Sequence, residues 1–157
     1  MNFYKGKTIW ITGASSGIGE AVTYALSKQG ANVNISTRRV DELKRVRQQA
    51  ASANIYILPL DLEATATFEA AVQEAIKAFG QIDIMLHNGG ISHRGLAKET
   101  LPQVQRRVME IDYFSYMELT RLLLPHFLER KGGHFVAISS VMGKIGTPMR
   151  SAYAAAK

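Results

Sequence analysis

The sequence has 157 residues, 46% of them hydrophobic, with a net charge of +6 and no cysteine. This is about one domain of chain with an ordinary core, and the lack of cysteine excludes disulfides and thiolate metal sites. No apolar run approaches the roughly 20 residues that span a bilayer. The opening MNFYKGKTIWITGASSG also lacks the long apolar segment of a signal peptide. A cytoplasmic protein with no membrane partner is expected. The basic residues cluster only in RRVDELKRVR and are otherwise spread along the chain. They read as solvated helix faces, so no nucleic-acid partner is expected.

Short β-branched runs alternate with helical patterns. KTIWIT (7–12) reads as a buried strand. GIGEAVTYALSKQG follows as a helix with Ile18, Ala21, Val22, Ala25 and Leu26 on its inner face and Gly30 as its stop. ANVNIST (31–37) is a second strand, VDELKRVRQQA a mostly polar helix and NIYILPL (54–60) a third strand. The next helix carries Phe68, Val72, Ala75, Ile76 and Phe79 at helical spacing and ends at Gly80. IDIMLHN (82–88) is a fourth strand. A long helix is expected from about Leu101 to Glu129, with Pro102 in its first turn and an interruption or kink at Pro125. GHFVAIS (133–139) is a fifth strand, and RSAYAAAK starts a last helix. Such alternation predicts right-handed βαβ units, a parallel sheet and helices on both faces.

TGASSGIG (12–19) joins the first strand to the first helix. Gly13 there can adopt angles that a side chain forbids. Gly17 and Gly19 let the backbone come close to a ligand, and the helix amides between Ser15 and Gly19, including Ser16 and Ile18, then face an anion. The spacing is G-x-x-x-G-x-G, and its strand–loop–helix setting marks a nucleotide site. A dinucleotide-binding chain reads the adenosine ribose at the end of the second strand, where an acid selects the free 2′-hydroxyl. Here stand Thr37, Arg38 and Arg39. Guanidinium groups suit a 2′-phosphate, so NADP(H) is expected rather than NAD(H). Asp61, followed by Leu62, ends the third strand, where it either caps the next helix or meets the adenine amino group. In HNGG (87–90), Gly89 and Gly90 leave room for a cofactor, and Asn88 is expected to bond across to the first loop. His87 reads as a strand-end residue, and no metal site is expected.

These motifs, in this order, resemble the short-chain dehydrogenase/reductase family. The matches are TGASSGIG, Asp61, HNGG in place of the commoner N-N-A-G, ISS with Ser140, and Tyr-x-x-x-Lys at Tyr153 and Lys157. HNGGISHRG and LLLPHFLERKGGHFV look most like the hydroxysteroid-dehydrogenase-type branch. The resemblance implies a Rossmann-type doubly wound α/β domain over residues 1–157, with strand order 3-2-1-4-5. It also implies interconversion of a ketone or aldehyde with an alcohol. Tyr153 would exchange the proton, Ser140 would hold the carbonyl oxygen, and Lys157 would stabilise the phenolate and hold the nicotinamide ribose. A homodimer or homotetramer is the family expectation. The rivals are a non-catalytic nucleotide-binding or regulatory domain and, more distantly, a methyltransferase, which has no use for Ser140, Tyr153 and Lys157 as a set.

Two departures bear on function. The family usually places Asn in the long helix to complete a tetrad and hold a relay water. Alignment of VMEIDYFSYMELT puts Asp112 there, beside an inward stripe of Val104, Val108, Ile111 and Ser115. A buried Asp is costly unless paired, and Lys157 or the relay water is the expected partner. If Asp112 serves the relay, Asn in its place is expected to be tolerated or to improve the rate. Family members also continue past the lysine, so the natural polypeptide is expected to extend beyond Lys157.

Overall fold

The computed structural model describes residues 3–52 and 54–157. Among these, β1 (Thr8–Thr12), β2 (Asn32–Ser36), β3 (Ile55–Ile57), β4 (Ile84–His87) and β5 (His134–Ala137) form one sheet in the order β3-β2-β1-β4-β5. All four pairings are parallel. The Rossmann-type order expected from the sequence is thus the order observed. Between the strands lie α1 (Gly17–Lys28), α2 (Val40–Gln49), α3 (Phe68–Phe79), α4 (Pro102–Met109), α5 (Ser115–Glu129) and, at the end, α6 (Ser151–Ala156).

The strand period of two divides the core. Ile9 and Ile11 of β1 point to one face, with Val33, Ile35, Leu26, Leu43 and Val46 under α1 and α2. Trp10 points to the other, with Phe68, Val72, Met85, Leu119 and Leu123 under α3 and α5. Trp10 is fully buried, and its indole N–H donates to Ser36 Oγ at 2.8 Å. A third, smaller cluster joins Ala152 and Ala156 of α6 to Val108 of α4. These alanines let the last helix lie close to α4.

Three details differ from the expectations. The inner face of α1 is Gly19, Thr23, Leu26 and Ser27, whereas Ile18, Ala21 and Ala25 face outward. A Cβ on Gly19 would stand 2.5 Å from Gly13 O, so α1 docks through its smallest residue, and that contact sets its rotation. β3 is only Ile55–Ile57, although beyond it the Leu58 N–H still donates to Ile35 O at 3.0 Å and the Leu60 N–H to Thr37 O at 3.2 Å. Pro59 lies between them on an edge strand, where a missing N–H is tolerated. The long helix is not interrupted at Pro125, which lies exposed inside α5 with the helix continuing to Glu129. The carbonyl that proline leaves without a donor is that of Arg121, itself an exposed residue. The irregularity is instead a π turn over Glu110–Phe114, which brings both Ile111 and Asp112 to the buried side. Such turns recur at functional sites.

His87 ends β4, 2% exposed, stacked on Tyr116 at 4.8 Å and bonded through Nε2 to Thr120 Oγ1 at 3.0 Å. Burial pulls its pKa from 6.5 down to about 4. The unfolded chain therefore binds the extra proton first, and the stability of the neutral form is lost as pH falls from 6.5 to about 4. The loss should reach about 3 kcal/mol at the acid end. Denaturant unfolding from pH 7 to pH 4 should show this limb in the wild-type chain and a flatter profile in His87→Gln. Parallel profiles would assign the limb to other groups.

Candidate active site

The strand order reverses between β1 and β4, and a crevice opens there beyond the carboxyl ends of the strands. Its volume is about 710 Å³. Every site residue expected from the sequence lines it except Gly17 and Gly19, which belong to the first turn of α1.

One half is built from the β1–α1 loop. Gly13 sits at φ +67°, and a Cβ there would lie 2.6 Å from the Cα of Gly89. Only glycine allows that approach. Thr12 Oγ1 accepts from the backbone N–H of Asn88 at 3.1 Å and of Gly89 at 3.0 Å. In return Asn88 Nδ2 donates to Thr12 O at 3.0 Å and Gly13 O at 3.1 Å. Ser16 precedes α1 but does not cap it with its side chain, which leaves the first-turn amides for a ligand. Arg39 Nη2 donates to Ser15 Oγ at 2.9 Å and to Ser16 Oγ at 3.5 Å. Arg38 faces acids instead, with Nη1 3.5 Å from Glu63 Oε2 and 4.0 Å from Asp61 Oδ1. Asp61 Oδ1 also accepts the Glu63 N–H at 3.0 Å, so it closes a turn and does not cap α3. Leu62 covers Gly89, where an added Cβ would meet its Cδ1 at 2.6 Å.

The other half comes from β5, the π turn and α6. Ser140 follows β5, and its Oγ accepts the Met142 N–H at 3.2 Å. Tyr153 lies in α6 and Lys157 directly follows that helix, the Lys157 N–H donating to Tyr153 O at 3.0 Å, with the ammonium 5.9 Å from the centre of the Tyr153 ring. The same ammonium lies 5.4 Å from the Tyr116 ring and donates to Ile138 O at 3.2 Å. It stands 3.4 Å from Asp112 Oδ2, a charge contact too poorly aligned for Oδ2 to accept a hydrogen bond. Asp112 Oδ1 accepts the Ile91 N–H at 2.7 Å. Burial pushes the Asp112 carboxyl above its usual range, and the Ile91 N–H and Lys157 only partly oppose this. Tyr116 donates to Gly89 O at 2.7 Å, and its phenol is pushed up by burial first and then by Asp112 and Tyr153.

The crevice thus joins free helix amides, a backbone open to close approach and arginines at the end of β2. This donor set suits a pyrophosphate and an adenosine ribose, so the residues fit a dinucleotide. Sequence reading missed Thr12, Ile91, Tyr116 and Ile138. Thr12 had a usable signal, a hydroxyl between a buried strand and Gly13. Ile91 and Ile138 act through backbone atoms, which side-chain identity does not mark.

The family model described as short chain dehydrogenase matches residues 7–157. The chain belongs to the short-chain dehydrogenase family. It is 43% identical over 155 residues to human dehydrogenase/reductase SDR family member 7, across 95% of this chain and 46% of that protein. A dehydrogenase/reductase SDR family protein 7-like of Anopheles gambiae is 43% identical, across 97% of this chain and 50% of its own length. The chain therefore spans about half the length of the curated relatives it matches. Among solved structures, a short-chain dehydrogenase from Streptomyces avermitilis superimposes with a TM-score of 0.92 at 30% identity, over 98% of this chain and 56% of that one. An actinorhodin polyketide ketoreductase solved with NADPH gives 0.91 at 26% identity, over 96% of this chain and 59% of that one.

The Thr12 hydroxyl tests how the crevice is held. Thr12→Val keeps the shape but leaves the Asn88 and Gly89 amides without their acceptor. Each buried donor so orphaned costs about 1 to 3 kcal/mol. Thr12→Val should lose about 2 to 4 kcal/mol in urea unfolding, and Thr12→Ser should recover most of it. Equal losses in both would mean that packing of the methyl matters, and not the hydroxyl.

Proposed function

We propose that residues 1–157 form the cofactor-binding and catalytic part of an NADP(H)-dependent oxidoreductase that interconverts a ketone or aldehyde with an alcohol. The observation that carries this reading is the single crevice that joins the glycine loop and the β2 arginines to Ser140, Tyr153 and Lys157. The α1 amides would hold the pyrophosphate, Arg38 and Arg39 the 2′-phosphate, and Lys157 the nicotinamide ribose. When bound, the nicotinamide supplies or accepts the hydride.

The chain's own part is position and proton transfer. Tyr153 gives a proton to the carbonyl oxygen or takes one from the alcohol. Lys157, buried beside it, stabilises the phenolate by charge. Ser140 Oγ already accepts the Met142 N–H, so its own proton is free to point at the carbonyl oxygen. That fixes the direction of the carbonyl where charge develops.

A second reading, a non-catalytic nucleotide-binding or regulatory domain, is favoured by one observation. Asp112 stands where the family usually has a neutral Asn. NADPH oxidation against a panel of carbonyl compounds separates the two readings. A cytoplasmic location remains part of the proposal, and no helix among the described residues is long and apolar enough to cross a membrane. A homodimer or homotetramer is supported by exposed apolar residues, Phe114 at the end of the π turn and Met117, Leu124 and Leu128 at helical spacing along α5.

Two outcomes test the roles. Arg38→Asp should raise the Kd for NADPH about tenfold more than that for NADH, as expected for loss of a charge-assisted contact to the 2′-phosphate. Equal losses in calorimetric titration would remove the phosphate argument. Tyr153→Phe in the full chain should cut carbonyl reduction by about a hundredfold or more while NADPH affinity stays nearly the same. Wild-type turnover in that variant would rule out Tyr153 as the acid.

A further inference from the structure

Lys157 is an ammonium in an unusual setting. Its side chain is 7% exposed, so water satisfies little of it. It has three donors, and its one hydrogen bond is to Ile138 O. The rings of Tyr116 and Tyr153 face it at 5.4 and 5.9 Å. The charge that answers it is Asp112, whose side chain is 0% exposed. Gly90 makes room for this carboxylate, since a Cβ there would lie 3.1 Å from Oδ2 and 3.2 Å from Oδ1. The π turn carries Asp112 to this point, and the Ile91 N–H fixes Oδ1. A side-chain amide would serve Oδ1's contact equally well, but it would bring no charge to Lys157.

We propose that Asp112 is a positioning residue for the reaction through its charge, its buried carboxylate holding the Lys157 ammonium beside Tyr153 in a way that a neutral side chain at this place does not. The proposal rests on the oxidoreductase reading of the site and departs from a water-relay role, which an amide would fill. Around Asp112 the ionisable groups are Tyr153 from α6, Lys157 just after that helix, Tyr116 from α5 and, behind Tyr116, the neutral His87 of β4. Among them Lys157 is the cation, so the charge contact belongs to this pair.

The charge should carry a cost as well as a role, because taking a carboxylate out of water can outweigh its pairing. The carboxyl is held above its ordinary value of 3.8, mainly by burial. A raised value means that the protonated form favours folding below 3.8 and that this gain is lost as pH rises through the folded value. The wild-type chain is therefore expected to be less stable at neutral pH than one with a neutral amide at this position.

The test uses Asp112→Asn with two readouts. In cofactor-free thermal melts, D112N should melt about 2 °C or more above wild type at pH 7, and the gap should close toward pH 4. In a Lys157→Met background the gain at pH 7 should be larger, because the carboxylate then has no cation. In turnover of the full chain with NADPH and a carbonyl substrate, D112N should lose about tenfold in kcat/KM at pH 7. The two curves should converge as acid protonates Asp112 in the wild type. Equal kcat/KM at pH 7, or an equal melting gain with and without Lys157, would overturn the proposal. A lower melting temperature for D112N at pH 7 would also overturn it, making the pair a structural bridge. A wild-type chain without turnover would instead sink the oxidoreductase reading, and the proposal with it, whatever the melts show.

Discussion

The crossing of two backbones at Gly13 and Gly89 governs the rest of the molecule. β1 and β4 pair from Ile9 with Ile84 to Ile11 with Leu86, and there the ladder stops. Beyond it the strands must part for a crevice to exist, yet not so far that the loops come loose. Thr12 takes over where the ladder ends, its hydroxyl accepting from the Asn88 and Gly89 amides. Asn88 answers from the other side by donating to two carbonyls of the first loop. Four hydrogen bonds thus replace strand pairing across a gap that glycine alone can keep narrow. The start of α1, the Leu62 wall and the rotation of the first helix follow from this contact, because each packs on Gly13, Gly19 or Gly89.

How far the sequence disclosed this arrangement depended on which atoms do the holding. The sheet order followed from strict alternation, since parallel neighbours need a helix between them and the hand of each crossover is fixed. The inner face of α1 did not follow from hydrophobic spacing alone. That spacing rightly placed Leu26 and Val22 toward the core, but it also favoured Ile18, Ala21 and Ala25, which the backbone contact at Gly19 turns outward. The π turn at Glu110–Phe114 was invisible for a related reason: one extra residue per turn leaves the apolar stripe of Val108, Ile111 and Ser115 almost unchanged. In the crevice, Asn88, Arg39 and Asp112 act through side chains of distinctive chemistry and could be picked out before folding. Ile91 and Ile138 lend only an amide and a carbonyl, and any residue but proline at position 91 would offer the same amide.

The two ends of the crevice obey different electrostatics. Arg38 and Arg39 sit at the rim, and Arg38 is shared with Asp61 and Glu63, both partly exposed. Solvent and salt screen charges there within about 10 Å, so attraction for an anionic group at this end weakens with ionic strength. Lys157 and Asp112 sit at the floor, where water hardly reaches. Their interaction is screened much less, and its magnitude is set by burial and distance rather than by salt. The rim therefore suits recognition of a mobile, charged ligand arriving from solution. The floor suits a fixed field that is already in place when a proton has to move. One fold supplies both because the β2 end lies at the open side of the sheet, whereas α6 lies against α4 and the π turn and closes the other side.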